Sequence, residues 1–125
     1  MSSYEFTILG DAARARQTAV DALVAREFVM HWSDDWTAKA IKGNKTKAAL
    51  LGAFALYMEV GVVIRSLDAG HSVIRIDSLT TGMMGGVWGM SKTTQHFAEL
   101  RDQLGTAFDV AGVLVAHRNP AAPNG

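Results

Sequence analysis

The run Tyr57-Met58-Glu59-Val60-Gly61-Val62-Val63-Ile64-Arg65-Ser66-Leu67 alternates with a period of two. Met58, Val60, Val62 and Ile64 make an unbroken apolar row, and Tyr57, Glu59, Gly61, Val63 and Arg65 take the other side. That pattern belongs to a strand with one face in a core. Asp68-Ala69-Gly70 supplies a hairpin turn. Ser72 to Thr80 then returns, with Ile74 and Ile76 inward and Arg75 and Asp77 outward.

Working outward from this hairpin, the upstream chain repeats the alternation. Tyr4 to Leu9 reads as a first strand, with Tyr4, Phe6 and Ile8 on one face. Gly10 ends it, and Asp11 is a good N-cap for a helix from Ala12 to about Glu27. That helix shows an apolar face of Ala15, Ala19, Val20, Leu23 and Val24. Phe28 to Trp32 alternates again, Ser33-Asp34-Asp35 has turn chemistry, and Trp36 to Lys42 returns. Gly43-Asn44 marks another turn. Lys45 to Leu56 has helix-forming composition but is short and broken by Gly52. Helix, sheet extension and packed apolar loop all stay open there.

Downstream, Gly82 to Gly89 reads as a glycine-rich loop with apolar side chains. A long helix is expected from about Ser91 to Ala111. Phe97, Leu100, Leu104, Ala107, Phe108 and Ala111 recur at helical spacing, and Gly112 stops it. Val113 to Val115 packs back on the sheet or forms an edge strand. His117 to Gly125, with two prolines, reads as a loose tail. The expectation is one α+β domain over 1–116 with a tail over 117–125. It has two layers, an antiparallel sheet covered by two helices, in the order β-α-β-β-β-β-α. As an order of elements over about 110 residues, this resembles the helix-grip and TATA-binding-protein-like folds. The resemblance implies a curved sheet wrapped on a long C-terminal helix, and brings no motif with it.

Composition narrows the function classes. The 125 residues suit one domain and carry no cysteine. Disulfides, thiolate metal sites and cysteine nucleophiles are thereby excluded. Twelve basic residues balance twelve acidic ones, which disfavours nucleic acid as a partner. A chain without net charge lacks colloidal repulsion, so self-association fits it. The first residues lack the basic-then-apolar order of a secretory leader, and a cytoplasmic location is expected. Ala48 to Ile64, the most apolar stretch, is 17 residues long, contains Glu59 and is closed by Arg65, short of a membrane span.

Motifs add little chemistry. The loop Gly82-Met83-Met84-Gly85-Gly86-Val87-Trp88-Gly89 leads to a helix, as phosphate-binding loops do. It matches neither the P-loop nor the dinucleotide pattern, and it is too apolar for a phosphate cradle. It reads as a tight sheet-to-helix crossover, or as a greasy contact surface. His31 lies near Asp34 and Asp35, but an acid–base role needs at least two of them to converge across the turn. His71 reads as an exposed turn residue. His96 and Glu99 make a helix-surface pair, and two ligands do not make a metal site. No cofactor, metal site or catalytic residue is assigned. Lys39, Lys42, Lys45 and Lys47 protect a strand margin, or form a patch for an anionic partner.

The leading expectation is a non-catalytic domain that takes an apolar or amphipathic small molecule between the sheet and the C-terminal helix. Met58, Val60, Val62, Ile74, Ile76, Phe97, Leu100 and Leu104 would line it, with Met83, Met84 and Trp88 at the mouth. The alternatives are a homo-oligomeric or partner-interaction protein, through 82–90 and 48–56, and peripheral membrane contact through Lys39 to Leu56.

Overall fold

The computed structural model describes residues 3–43, 58–68, 70–79 and 86–118, with side chains throughout except at 86–95 and 118. The elements are β1 (Ser3–Leu9), α1 (Ala12–Val24), β2 (Val29–Trp32), β3 (Thr37–Lys42), β4 (Met58–Asp68), β5 (His71–Ser78), α2 (Gly86–Val110) and β6 (Leu114–Arg118). Among the described residues the strands form one six-stranded sheet, in the order β2-β3-β4-β5-β1-β6. Every pair is antiparallel. The class is α+β, and the order β-α-β-β-β-β-α holds, with the edge-strand alternative for the last apolar run realised as β6.

The alternation seen in sequence places the core. Across one face run Ala38, Val62, Ile76 and Tyr4 as consecutive cross-strand neighbours. The next row is Ile64, Ile74, Phe6 and His117. Phe6, Ile8, Val60, Val62, Ile74 and Ile76 are essentially inaccessible. Each such side chain is worth about 1.5–3 kcal/mol of burial. Both helices cover this face. α1 contributes Ala15, Ala19, Ala22 and Leu23, and α2 contributes Phe97, Leu100, Leu104 and Phe108. Phe6 meets Phe108 edge-on, with ring centroids 5.1 Å apart.

Three boundaries differ from the sequence reading. α1 begins as expected, with Asp11 accepting from the Arg14 amide at 2.9 Å, but it ends at Val24 rather than near Glu27. Glu27 adopts a left-handed φ of 70° and reverses the chain. α2 begins at Gly86, five residues before the expected Ser91, so Gly86 to Gly89 are helical. A helical glycine costs about 1 kcal/mol relative to alanine, but it keeps its N–H and so does not stop a helix as proline does. β6 includes His117 and Arg118, which the sequence reading gave to the tail. The side of β6 facing β1 satisfies it, and Leu9 N–H donates to Val113 O at 2.8 Å. Residues 45–56, whose conformation stayed open, lie outside the described residues.

Candidate functional site

Eight of the expected lining residues meet in the core. Met58, Val60, Val62, Ile74, Ile76, Phe97, Leu100 and Leu104 are each at most 4% exposed and pack in one cluster. Met83 and Met84 lie outside the described residues, and so does the side chain of Trp88. Two clefts open at the margins of this cluster.

One cleft, of about 220 Å³, opens between the end of α1, the β3–β4 margin and α2. Phe28, Met58 and Leu100 form its apolar wall, and Arg26, Lys42, His96, Glu99 and Gln103 form its polar rim. Local structure explains each placement. The reversal at Glu27 puts Arg26 over the last turn of α1 and Phe28 into the core. The Arg26 guanidinium donates to Ala22 O at 2.8 Å and to Gln103 O at 3.3 Å, which ties α1 to α2. Lys42 and Met58 are cross-strand partners. The Lys42 ammonium stands 5.8 Å from the Phe28 ring centroid, within cation–π range. His96, Glu99, Leu100 and Gln103 share one side of α2 because they recur at spacings of three and four. His96 Nδ1 lies 3.5 Å from Glu99 Oε2.

A second cleft, of about 350 Å³, opens between α2, β1 and β6, over Tyr4, Phe6 and Leu114. The Tyr4 hydroxyl is hydrogen-bonded to His117 Nδ1. Arg101 sits 5.4 Å from the Tyr4 ring centroid and is paired with Asp102 at 3.2 Å. Its charges are therefore largely matched within the chain, Asp109 apart.

The other face of the sheet carries no helix among the described residues. Among the described residues three ion pairs lie on it: Lys39 with Glu59 at 3.3 Å, Arg65 with Glu5 at 3.3 Å and Arg75 with Asp77 at 3.1 Å. A shallow groove of about 610 Å³ crosses it beside Ile41, Gly61, Val63 and Leu79.

The histidine candidates separate. Asp34 accepts from the Trp36 amide at 2.8 Å, a local turn contact. His71 Nδ1 lies 2.8 Å from Asp68 Oδ1. The His71 imidazole, and then the Gly70 amide, hold the Asp68 carboxyl below its usual value. Among the described residues no three His, Asp or Glu side chains gather for a metal ion. Likewise no described helix is long and apolar enough to cross a membrane. Of the run Lys39 to Leu56, residues 44–56 lie outside the described residues.

Sequence reading named Met58, Leu100, the His96–Glu99 pair and, within a lysine run open to an anionic partner, Lys42, but not Arg26, Phe28 or Gln103. Gln103 had a local signal, seven residues after His96 on the same helical side. Arg26 had none, and Lys42 was legible only within its lysine run, because a helix terminus and a strand end bring the two to one cleft. No protein-family model matches the chain. No curated protein matches it either.

Proposed function

We propose that this is a cytoplasmic, non-catalytic binding domain for a small amphipathic molecule, held between the sheet and the C-terminal helix in the cleft at Phe28, Met58 and Leu100. One observation carries the reading: a cleft of about 220 Å³ sets an apolar wall against a polar rim. Pockets for drug-sized ligands are usually about 300–1,000 Å³, so the ligand is smaller than that. The test is native mass spectrometry of freshly purified full-length chain, with methyl NMR of Met58 and Leu100 during titration with octanoate or octanol. Retained mass, or saturable shifts at both methyl groups, is the expected result. Gln103→Trp, at an exposed rim position, is expected to remove either signal without lowering the melting temperature. The reading fails if there is no retained mass and no shift with either compound.

A second reading, self-association, is favoured by one corner of the molecule. Val110, at the end of α2, is 82% exposed, and Leu9 and Val115, on β1 and β6, are about half exposed. β6 also forms an outer edge of the sheet among the described residues, and an open edge invites strand pairing. Light scattering that shows a dimer converted to monomer by Val115→Lys supports it. A monomer at all concentrations refutes it.

A further inference from the structure

The rim of the cleft at Phe28 and Met58 is not evenly charged. Among the described residues two permanent cations, Arg26 and Lys42, line it, against one carboxylate, Glu99, which is already set beside His96. The chain as a whole has no net charge, so this local excess is a property of the site. The cations come from different elements. Arg26 is fixed by the carbonyls of Ala22 and Gln103, and a guanidinium has more N–H donors than those two bonds use. Lys42 follows β3 to its end and leans on Phe28. A fixed fork and a mobile point charge at one mouth are suited to a carboxylate or phosphate oxygen. Behind them, Phe28, Met58 and Leu100 form the apolar floor of the cleft.

Resting on the reading above, we infer that the amphipathic ligand is an anion. Its carboxylate or phosphate head is held by Arg26 and Lys42, and its short apolar body lies on Phe28, Met58 and Leu100. His96 and Gln103 supply further hydrogen-bonding groups at the same rim. The neighbouring cleft at Tyr4 and His117 lacks this asymmetry, because Asp102 and Asp109 accompany its one arginine.

The experiment titrates the full chain with four probes that share one tail: octanoate, octyl phosphate, octanol and octylamine. Binding is followed by amide and methyl NMR. Either anion is expected to bind about tenfold more tightly than octanol, with octylamine weakest. Arg26→Gln and Lys42→Gln are each expected to weaken the anions roughly two- to fivefold, the scale of a half-exposed charge pair. Octanol binding should be unchanged in both variants, and Lys42→Arg should retain anion binding. Raised salt should weaken the anions alone. If octanol binds as tightly as octanoate, or if both glutamine variants keep full anion affinity, the anionic head group is wrong while amphiphile binding stands. If none of the four probes binds, both readings fall. If monomeric anions do nothing while vesicles of acidic phospholipid bind, this inference is overturned in favour of a membrane surface.

Discussion

The two helices end on the same hydrogen-bonding pattern, built around different residues. At the end of α1, Glu27 N–H donates to Val24 O at 3.0 Å and Phe28 N–H to Leu23 O at 3.1 Å. At the end of α2, Gly112 N–H donates to Asp109 O at 2.9 Å and Val113 N–H to Phe108 O at 3.0 Å. The left-handed residue is Glu27 at φ 70° in one and Gly112 at φ 75° in the other. Each motif is flanked by an apolar pair, Leu23 with Phe28 and Phe108 with Val113, seated on or against the core. Such a pair commonly accompanies this way of ending a helix. The comparison teaches that the apolar pair decides where the helix stops, and the residue between them decides only how much strain the stop carries.

The strongest way to break the comparison is to remove an apolar anchor. Leu23 and Phe108 are each 1% exposed. Phe108→Ala is expected to cost about 3–5 kcal/mol and Leu23→Ala about 2–5 kcal/mol, from lost burial and the cavity left behind. Urea denaturation measures both. A loss below about 0.5 kcal/mol at Leu23, within the range of an ordinary surface change, would show that the pair does not set the end of α1.

The next test addresses the residue between. A Cβ at Gly112 would meet nothing within 4 Å, so Gly112→Ala introduces backbone strain without crowding. Its expected cost is roughly 1 kcal/mol. Glu27→Gly is the mirror experiment and is expected to stabilise by about 0.5–1 kcal/mol. If both substitutions destabilise, Glu27 is held by contacts of its side chain, and the two stops are not equivalent.

These two stops also show what the sequence reveals. Gly112 is legible as a helix end because glycine is the usual left-handed residue. Glu27 is not, because glutamate is a good helix former, so the sequence reading carried α1 about three residues too far. The error had a consequence for the candidate site: with α1 running on to Glu27, Arg26 is one more helical surface charge. Only the reversal places it at the cleft with Gln103 and Lys42. The sheet was more legible, because alternation in Met58 to Ile64 reports one buried face directly. The partial charge balance of a cleft depends on which strand ends and helix ends meet, and no local pattern encodes that.

The smallest expected effect concerns a third chain reversal, held by a titratable group rather than by glycine geometry or an apolar pair. In the β4–β5 turn, Asp68 Oδ1 accepts from Gly70 N–H at 2.9 Å and lies 2.8 Å from His71 Nδ1. Gly70 O in turn accepts from Gly10 N–H at 2.8 Å, which links the turn to the corner between β1 and α1. The Asp68 carboxyl is held below its usual value, first by the His71 imidazole and then by the Gly70 amide. A carboxyl depressed in this way binds its proton less tightly when folded than when unfolded. Its contribution is therefore present above the ordinary carboxylate range and is lost as pH falls through the lower folded value. The Asp68 side chain is exposed, so solvent screens the contribution and keeps it small. Urea midpoints of the natural chain and Asp68→Asn, compared from neutral pH to about pH 3, should differ slightly at neutrality and converge in acid. The difference caused by Gly112→Ala should stay constant over the same range, because nothing in that stop titrates. An Asp68→Asn difference that persists unchanged in acid would mean that the turn is held by backbone geometry, as the end of α2 is.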